Sequence, residues 1–158
     1  MYLQIKMVKS LFLINLPFSN KKLCVFSYNS RGFNEQKQEF CNYLLNSVGY
    51  NKLAILCNQE NFLLRSNTYK IVQSFPDYYP IVKPAVKENH DKGRAKNGMF
   101  MLFPKCLTDN ITDVSPLNWR IQAAIISQVS SKLLIINSYF PNDNRNEGGL
   151  PELIETLE

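Results

Sequence analysis

The stretch LCVFSYNS, Leu23 to Ser30, is apolar and then abruptly polar, which reads as a buried strand ending near Tyr28. Arg31-Gly32-Phe33 reads as a turn, and Asn34 as the N-cap of a helix. Phe40, Leu44 and Val48 recur at i, i+4 and i+8 on one helical face, and Gly49 stops the helix. Residues 53–57 are the next apolar run, leading into Asn58-Gln59-Glu60. The order strand, helix, strand predicts an α/β layout with neighbouring buried strands.

The middle of the chain changes character. Tyr69 to Val72 reads as a short strand. Pro76, Pro80 and Pro84 then punctuate a stretch carrying Phe75, Tyr78 and Tyr79. The two tyrosines either pack under this Pro-rich loop or stack on bases. After a polar loop over 87–98, Met99 to Phe103 is predicted as a strand. Ile111 to Val114, Arg120 to Ser127 and Lys132 to Tyr139 follow as strands with short connections, in hairpins or a meander. Leu150 to Glu158 has the spacing of a helix's first turns.

Residues 1–20 stand apart as an undetermined extension, before a domain over 21–158. Lys6 and Lys9 precede Leu11-Phe12-Leu13-Ile14 in a loose imitation of a signal peptide, but Asn15 and Pro17 interrupt it. The run is too short to span a bilayer, so no membrane partner is expected.

The 158 residues are enough for one compact domain. Eighteen Lys plus Arg against thirteen Asp plus Glu leave a net charge of +5, which favours a polyanionic partner. Much of that excess lies in residues 83–105, where Lys83, Lys87, Lys92, Arg94, Lys96 and Lys105 face Glu88 and Asp91. Such a loop either follows a nucleic-acid backbone by counterion release or is simply solvated. Cys24, Cys41, Cys57 and Cys106 form no Cys-x-x-Cys pair, and His90 is the one histidine. Four reduced thiols in a nuclear or cytoplasmic protein fit better than a zinc site.

Three apolar runs finish in polar residues: at Tyr28-Asn29-Ser30, at Asn58-Gln59-Glu60 and at Asn137 to Asp143. Layered α/β proteins bind ligands at the carboxyl ends of strands, so neighbouring strands would bring Asn29, Glu60, Tyr139 and Asn142 to one rim. Oxygen donors of this kind suit Mg2+, which takes one or two carboxylates and completes its shell with water and phosphate. Polar residues after strands are equally the material of ordinary turns.

The segments SYNSRGF, ILCNQENFL, RAKNGMFMLF, NWRIQAAII and LLIINSYFPND stand in the order found in the endonuclease/exonuclease/phosphatase superfamily. The chain resembles its apurinic/apyrimidinic endonuclease-like branch, and most of all the nucleases of LINE-type (non-LTR) retrotransposons. Asn29 to Gly32 matches Asn-x-x-Gly, Gln59-Glu60 matches Gln-Glu, and Asn137 to Asn142 matches Asn-x-Tyr-x-Pro-Asn. Asn58 replaces the usual apolar residue, and Asn97-Gly98-Met99 stands where the family is Gly-rich.

The resemblance implies a partial four-layer α/β/β/α sandwich, the N-terminal half of that nuclease fold. It implies phosphodiester hydrolysis in DNA with Mg2+, or Mn2+ in its place. It implies that Glu60 and Asn29 serve the metal, that Tyr139 and Asn142 serve the scissile phosphate, and that Arg120 contacts phosphate. Arg94 and Lys96 are the nucleic-acid contacts expected of the basic loop. The family's Gly-Asp-x-Asn and Ser-Asp-His motifs do not occur in these 158 residues. The expectation is therefore a chain inactive alone, awaiting a complementing second half, or a non-catalytic retrotransposon remnant. A phosphatase of the same superfamily is the further alternative.

Overall fold

A computed structural model describes residues 2–5, 10–15, 22–49, 52–87, 95–128 and 131–139. The strands are β1 (Tyr2–Ile5), β2 (Ser10–Asn15), β3 (Lys22–Asn29), β4 (Lys52–Gln59), β5 (Tyr78–Lys83), β6 (Met99–Pro104), β7 (Ile111–Asp113), β8 (Ile121–Gln128) and β9 (Ser131–Ser138). The helices are α1 (Glu35–Asn46) and α2 (Tyr69–Ser74), with 3-10 turns at Arg65–Asn67 and Lys105–Asn110. Two sheets form, ordered β1-β9-β8-β7 and β2-β3-β4-β6-β5. No helix among the described residues is long and apolar enough to cross a membrane.

Parallel strands need a crossover, and α1 supplies it between β3 and β4. Its start is fixed as expected: the Asn34 side chain accepts the Lys37 backbone N–H at 3.0 Å. Its inward stripe is turned by one residue from the expected one. Cys41 and Leu45 are fully buried, with Leu44 and Val48 partly buried beside them. Phe40 instead meets the Tyr28 ring at 4.9 Å.

Alternation along the five-stranded sheet sorts two apolar layers, and Ile121, Ala123 and Ile136 form a third cluster on the four-stranded sheet. Leu23, Val25, Ile55, Cys57, Met101 and Phe103 meet Ala124, Ile126 and Ile135 between the sheets. Cys24, Phe26, Leu56, Phe100 and Leu102 lie on the other face of the five-stranded sheet, with Cys41, Leu45, Ile71 and Phe75 from the helical side. These layers make the mixed α/β, two-sheet architecture expected of the partial nuclease sandwich.

Two elements differ from expectation. Residues 69–72 are not a strand but the start of α2, because Ile71 and Phe75, four apart, are the pair that buries. Val72, which a strand would have used, is 55% exposed. The Pro-rich stretch holds a strand rather than a loop. β5 lies at the edge of its sheet, where Pro80's missing N–H is tolerated. Within residues 1–20, β1 pairs in parallel with β9 and β2 antiparallel with β3, so each sheet gains a strand. His90 and the turns expected at 150–158 lie outside the described residues.

Candidate metal and phosphate site

Register brings the expected residues to one end of the sandwich. β3 and β4 run parallel with Asn29 opposite Gln59. β6 runs back from Met99, which is opposite both Gln59 and Lys83. β8 begins at Ile121 opposite Ser138, and the Tyr139 N–H bonds to the Arg120 carbonyl at 2.9 Å. Asn29, Glu60, Lys96, Arg120 and Tyr139 therefore share one rim. Arg94 and Asn142 lie outside the described residues.

Beneath this rim the space between the sheets turns polar. Gln59 Nε2 donates to Asn137 Oδ1 at 2.5 Å and to Ser27 Oγ at 3.1 Å. Asn137 Nδ2 donates across to the Asn58 carbonyl at 3.1 Å and to Gln122 Oε1 at 3.3 Å. Gln122 Nε2 reaches the Ile81 carbonyl at 2.8 Å. All four side chains are buried. Buried amides hold only when their partners are in place, so this network fixes one sheet's strand ends against the other's.

Three loops above it are laced by backbone hydrogen bonds. Gly32 N–H reaches the Glu60 carbonyl at 2.6 Å, and Phe33 N–H the Asn61 carbonyl at 2.9 Å. Asn61 and Phe62 donate to the carbonyls of Gly98 and Asn97, both at 3.1 Å. Arg31, Glu60, Phe62 and Asn97 all take positive φ, between 48° and 67°. Each such residue costs about 1 kcal/mol or more and persists only where its surroundings impose it. Gly98 shows how tight the lacing is, since a Cβ there would stand 2.5 Å from Asn61 Oδ1. A close backbone approach is thus made at Gly98, with Asn97 in the left-handed position before it.

Glu60 leaves the strand end half-buried, beside this lacing. Asn29 Oδ1 accepts the Arg31 N–H at 3.2 Å, an Asx turn that fixes the side chain at the strand's end. Gln59 Oε1 is buried with no protein partner among the described residues. Metal-bound waters are hydrogen-bond donors, so that orphan acceptor suits the underside of a hydrated cation. One carboxylate, one amide oxygen and this acceptor fit Mg2+, which keeps much of its water. No cluster of three or more His, Cys, Asp or Glu residues occurs among the described residues.

Sequence reasoning passed over Arg31, Gln36 and Lys37. They line, with Asn29 and Ser30, an open groove of about 420 Å³. The signal was present: only five residues separate Asn29 from Glu35, so the first turn of α1 has to lie at the rim.

The basic loop is redistributed. Lys83 is no nucleic-acid contact: its ammonium donates to the carbonyls of Pro116, Asn118 and Ile121 at 2.6, 2.5 and 2.6 Å. Burial pushes its pKa down, opposed by Asp113. Lys105 follows β6 at the opposite end of the sheet. Lys96 is exposed at the rim, its backbone paired with Val86. Arg120 lies over the Trp119 ring at 4.6 Å. Tyr78 is half-buried in the outer apolar layer, while Tyr79 is 40% exposed.

No protein-family model matches this chain, and no curated protein matches it. Among solved structures it is similar to the AP endonuclease LMAP from Leishmania major, with a TM-score of 0.54 at 14% identity. The likeness covers 85% of this chain and 44% of that one, so the chain spans less than half the neighbour's length. At that identity the two share a fold, the α/β two-sheet architecture of an AP endonuclease.

Proposed function

We propose that the chain is the N-terminal part of a metal-dependent phosphodiesterase of the endonuclease/exonuclease/phosphatase superfamily, acting on DNA. The observation that carries this reading is the meeting of Asn29, Glu60, Arg120 and Tyr139 on one rim of an AP endonuclease-like fold. The Asn137 to Asn142 motif favours the apurinic/apyrimidinic-like branch, and within it the LINE-type nucleases.

In this reading Glu60 and Asn29 hold Mg2+, or Mn2+. The ion supplies charge stabilisation at the scissile phosphate. Tyr139 donates a hydrogen bond to a phosphate oxygen, Asn142 acts from the same loop, and Arg120 neutralises backbone charge. Arg94 and Lys96 extend that contact. Activation of the attacking water needs a base. The sequence carries neither Gly-Asp-x-Asn nor Ser-Asp-His, so the base comes from a complementing segment.

The 44% coverage of the neighbour favours a second reading for the 158 residues alone: DNA binding without cleavage. Plasmid nicking with Mg2+, against a chelator control, separates the two. In whichever chain cleaves, Glu60→Gln lowers the rate about a thousandfold or more, as loss of a metal worth several kcal/mol requires. Duplex affinity stays in place. Wild-type nicking by Glu60→Gln would sink the metal assignment. Hydrolysis of a small phosphate ester with no nicking would move the chain to the phosphatases.

A further inference from the structure

The connection between β7 and β8, residues 114–120, is short and strongly fixed. Asp113 Oδ1 accepts the Ser115 N–H at 2.9 Å, and Ser115 Oγ accepts the Ala123 N–H at 3.1 Å. Asn118 Oδ1 accepts the Arg120 N–H at 2.8 Å. Lys83 then reaches over from the other sheet to the carbonyls of Pro116 and Asn118. These are the residues on either side of Leu117. With both flanking carbonyls drawn inward, Leu117 is fully exposed, at 104%.

It is not alone. Of eight large exposed apolar side chains among the described residues, Val114, Leu117 and Trp119 all fall in this one loop. A loop that only needed to be soluble would not hold three apolar side chains in water on a rigid frame. The loop's last residue, Arg120, lies over Trp119 and belongs to the candidate site's rim. The other described rim cations, Arg31, Lys37 and Lys96, give that end the charge that a phosphate backbone calls for.

We propose that residues 114–120 form a rigid apolar wedge that seats against a DNA duplex, Leu117 entering between base pairs while Trp119 and Arg120 lie along the backbone beside it. The proposal rests on the nuclease reading above. A protruding leucine beside a cation is the chemistry by which proteins unstack a base step and kink a duplex. β3 and β5 are three strand steps apart in the sheet order, about 15 Å. The loop itself hangs on the facing sheet, about 10 Å across, so the wedge and the candidate metal site stand about five base pairs apart along a strand and fit one bound duplex.

Trp119 is the chain's one tryptophan, so its fluorescence reports this loop directly. The 158-residue chain is titrated with a duplex carrying 2-aminopurine, and binding is followed separately by anisotropy of a dye on the DNA end. Binding is expected to shift Trp119 emission to the blue, shield it from acrylamide, and raise 2-aminopurine emission. Leu117→Ser is expected to weaken binding about tenfold, the loss of one buried leucine side chain, with the melting temperature unmoved. Duplex binding that leaves Trp119 open to acrylamide overturns the wedge and leaves the nuclease reading standing. An L117S affinity equal to wild type does the same. No duplex binding at low salt overturns the wedge together with the reading of these 158 residues as a DNA-binding unit, while nicking by a longer chain tests the nuclease reading separately. A blue shift that grows with protein concentration without DNA assigns the loop to a second copy of the chain and overturns the wedge.

Discussion

The space between the two sheets has two ends built from the same strands, and they are filled in opposite ways. Away from the rim, Leu23, Val25, Ile55 and Phe103 meet Ala124, Ile126 and Ile135 in an apolar layer. At the rim the same strand faces carry Ser27, Gln59, Gln122 and Asn137. Apolar side chains would fill that end more cheaply, because each buried amide has to find its partners. The apolar end tolerates approximate fits, since dispersion has no direction. The polar end admits few arrangements, since hydrogen bonds do. Glu60 and Asn29 stand directly above the end that admits few.

The sharpest break of that contrast is Phe103→Ala at the apolar end. Truncating a fully buried phenylalanine costs about 3–5 kcal/mol, a large share of a single domain's stability, and urea unfolding measures it. Asn137→Leu at the polar end is expected to cost about 2–3 kcal/mol, because it strips partners from Gln59 and Gln122. A neutral Asn137→Leu would show that the amide layer serves the site alone and not the join between sheets.

Lys83→Met ranks third, at about 1–2 kcal/mol. It keeps the stem and leaves three carbonyls without their donor, half-exposure softening the loss. Acrylamide quenching of Trp119 should rise with it as the loop loosens. The smallest effect is chemical. Burial raises the thiols of Cys41 and Cys57 to about 12, so almost no thiolate exists there at pH 8, and it pushes Cys24 up as well, opposed by Lys52. Iodoacetamide should modify exposed Cys106 alone in the native chain, as peptide mass mapping will show, with no change in stability. Modification of Cys57 before unfolding would mean that the sheets part at the apolar end.

Elements with an unambiguous local signal were legible in the sequence. The Asn34 cap, the βαβ opening and the run from β6 to β9 were read from spacing alone. Tyr69-Lys70-Ile71-Val72 misled because β-branched residues favour strands, whereas the partner that decided the outcome, Phe75, lay just beyond the run. Pro80 hid a strand because nothing local says that a strand will lie at an edge. Lys83 was counted with a loop that either follows a nucleic-acid backbone or is solvated, because the carbonyls that hold it come 33 to 38 residues later. The positions of Glu60 and Asn29 followed from strand ends. The amides beneath them did not, because Gln59 and Asn137 are 78 residues apart and only the fold pairs them.

The pairing of β1 with β9 also sets a schedule. Tyr2 sits opposite Leu134, so almost the first residues of the chain meet almost the last of the described ones. Translation at about 5–20 residues per second leaves β1 waiting roughly ten seconds for its neighbour. β2 and β3 can zip together within microseconds of emerging, as antiparallel neighbours do. The five-stranded sheet can therefore assemble on the ribosome, while the four-stranded sheet closes only after β9 is released. Until then β1 is an unpaired strand in search of an edge, and a crowded polysome offers it the edges of other copies.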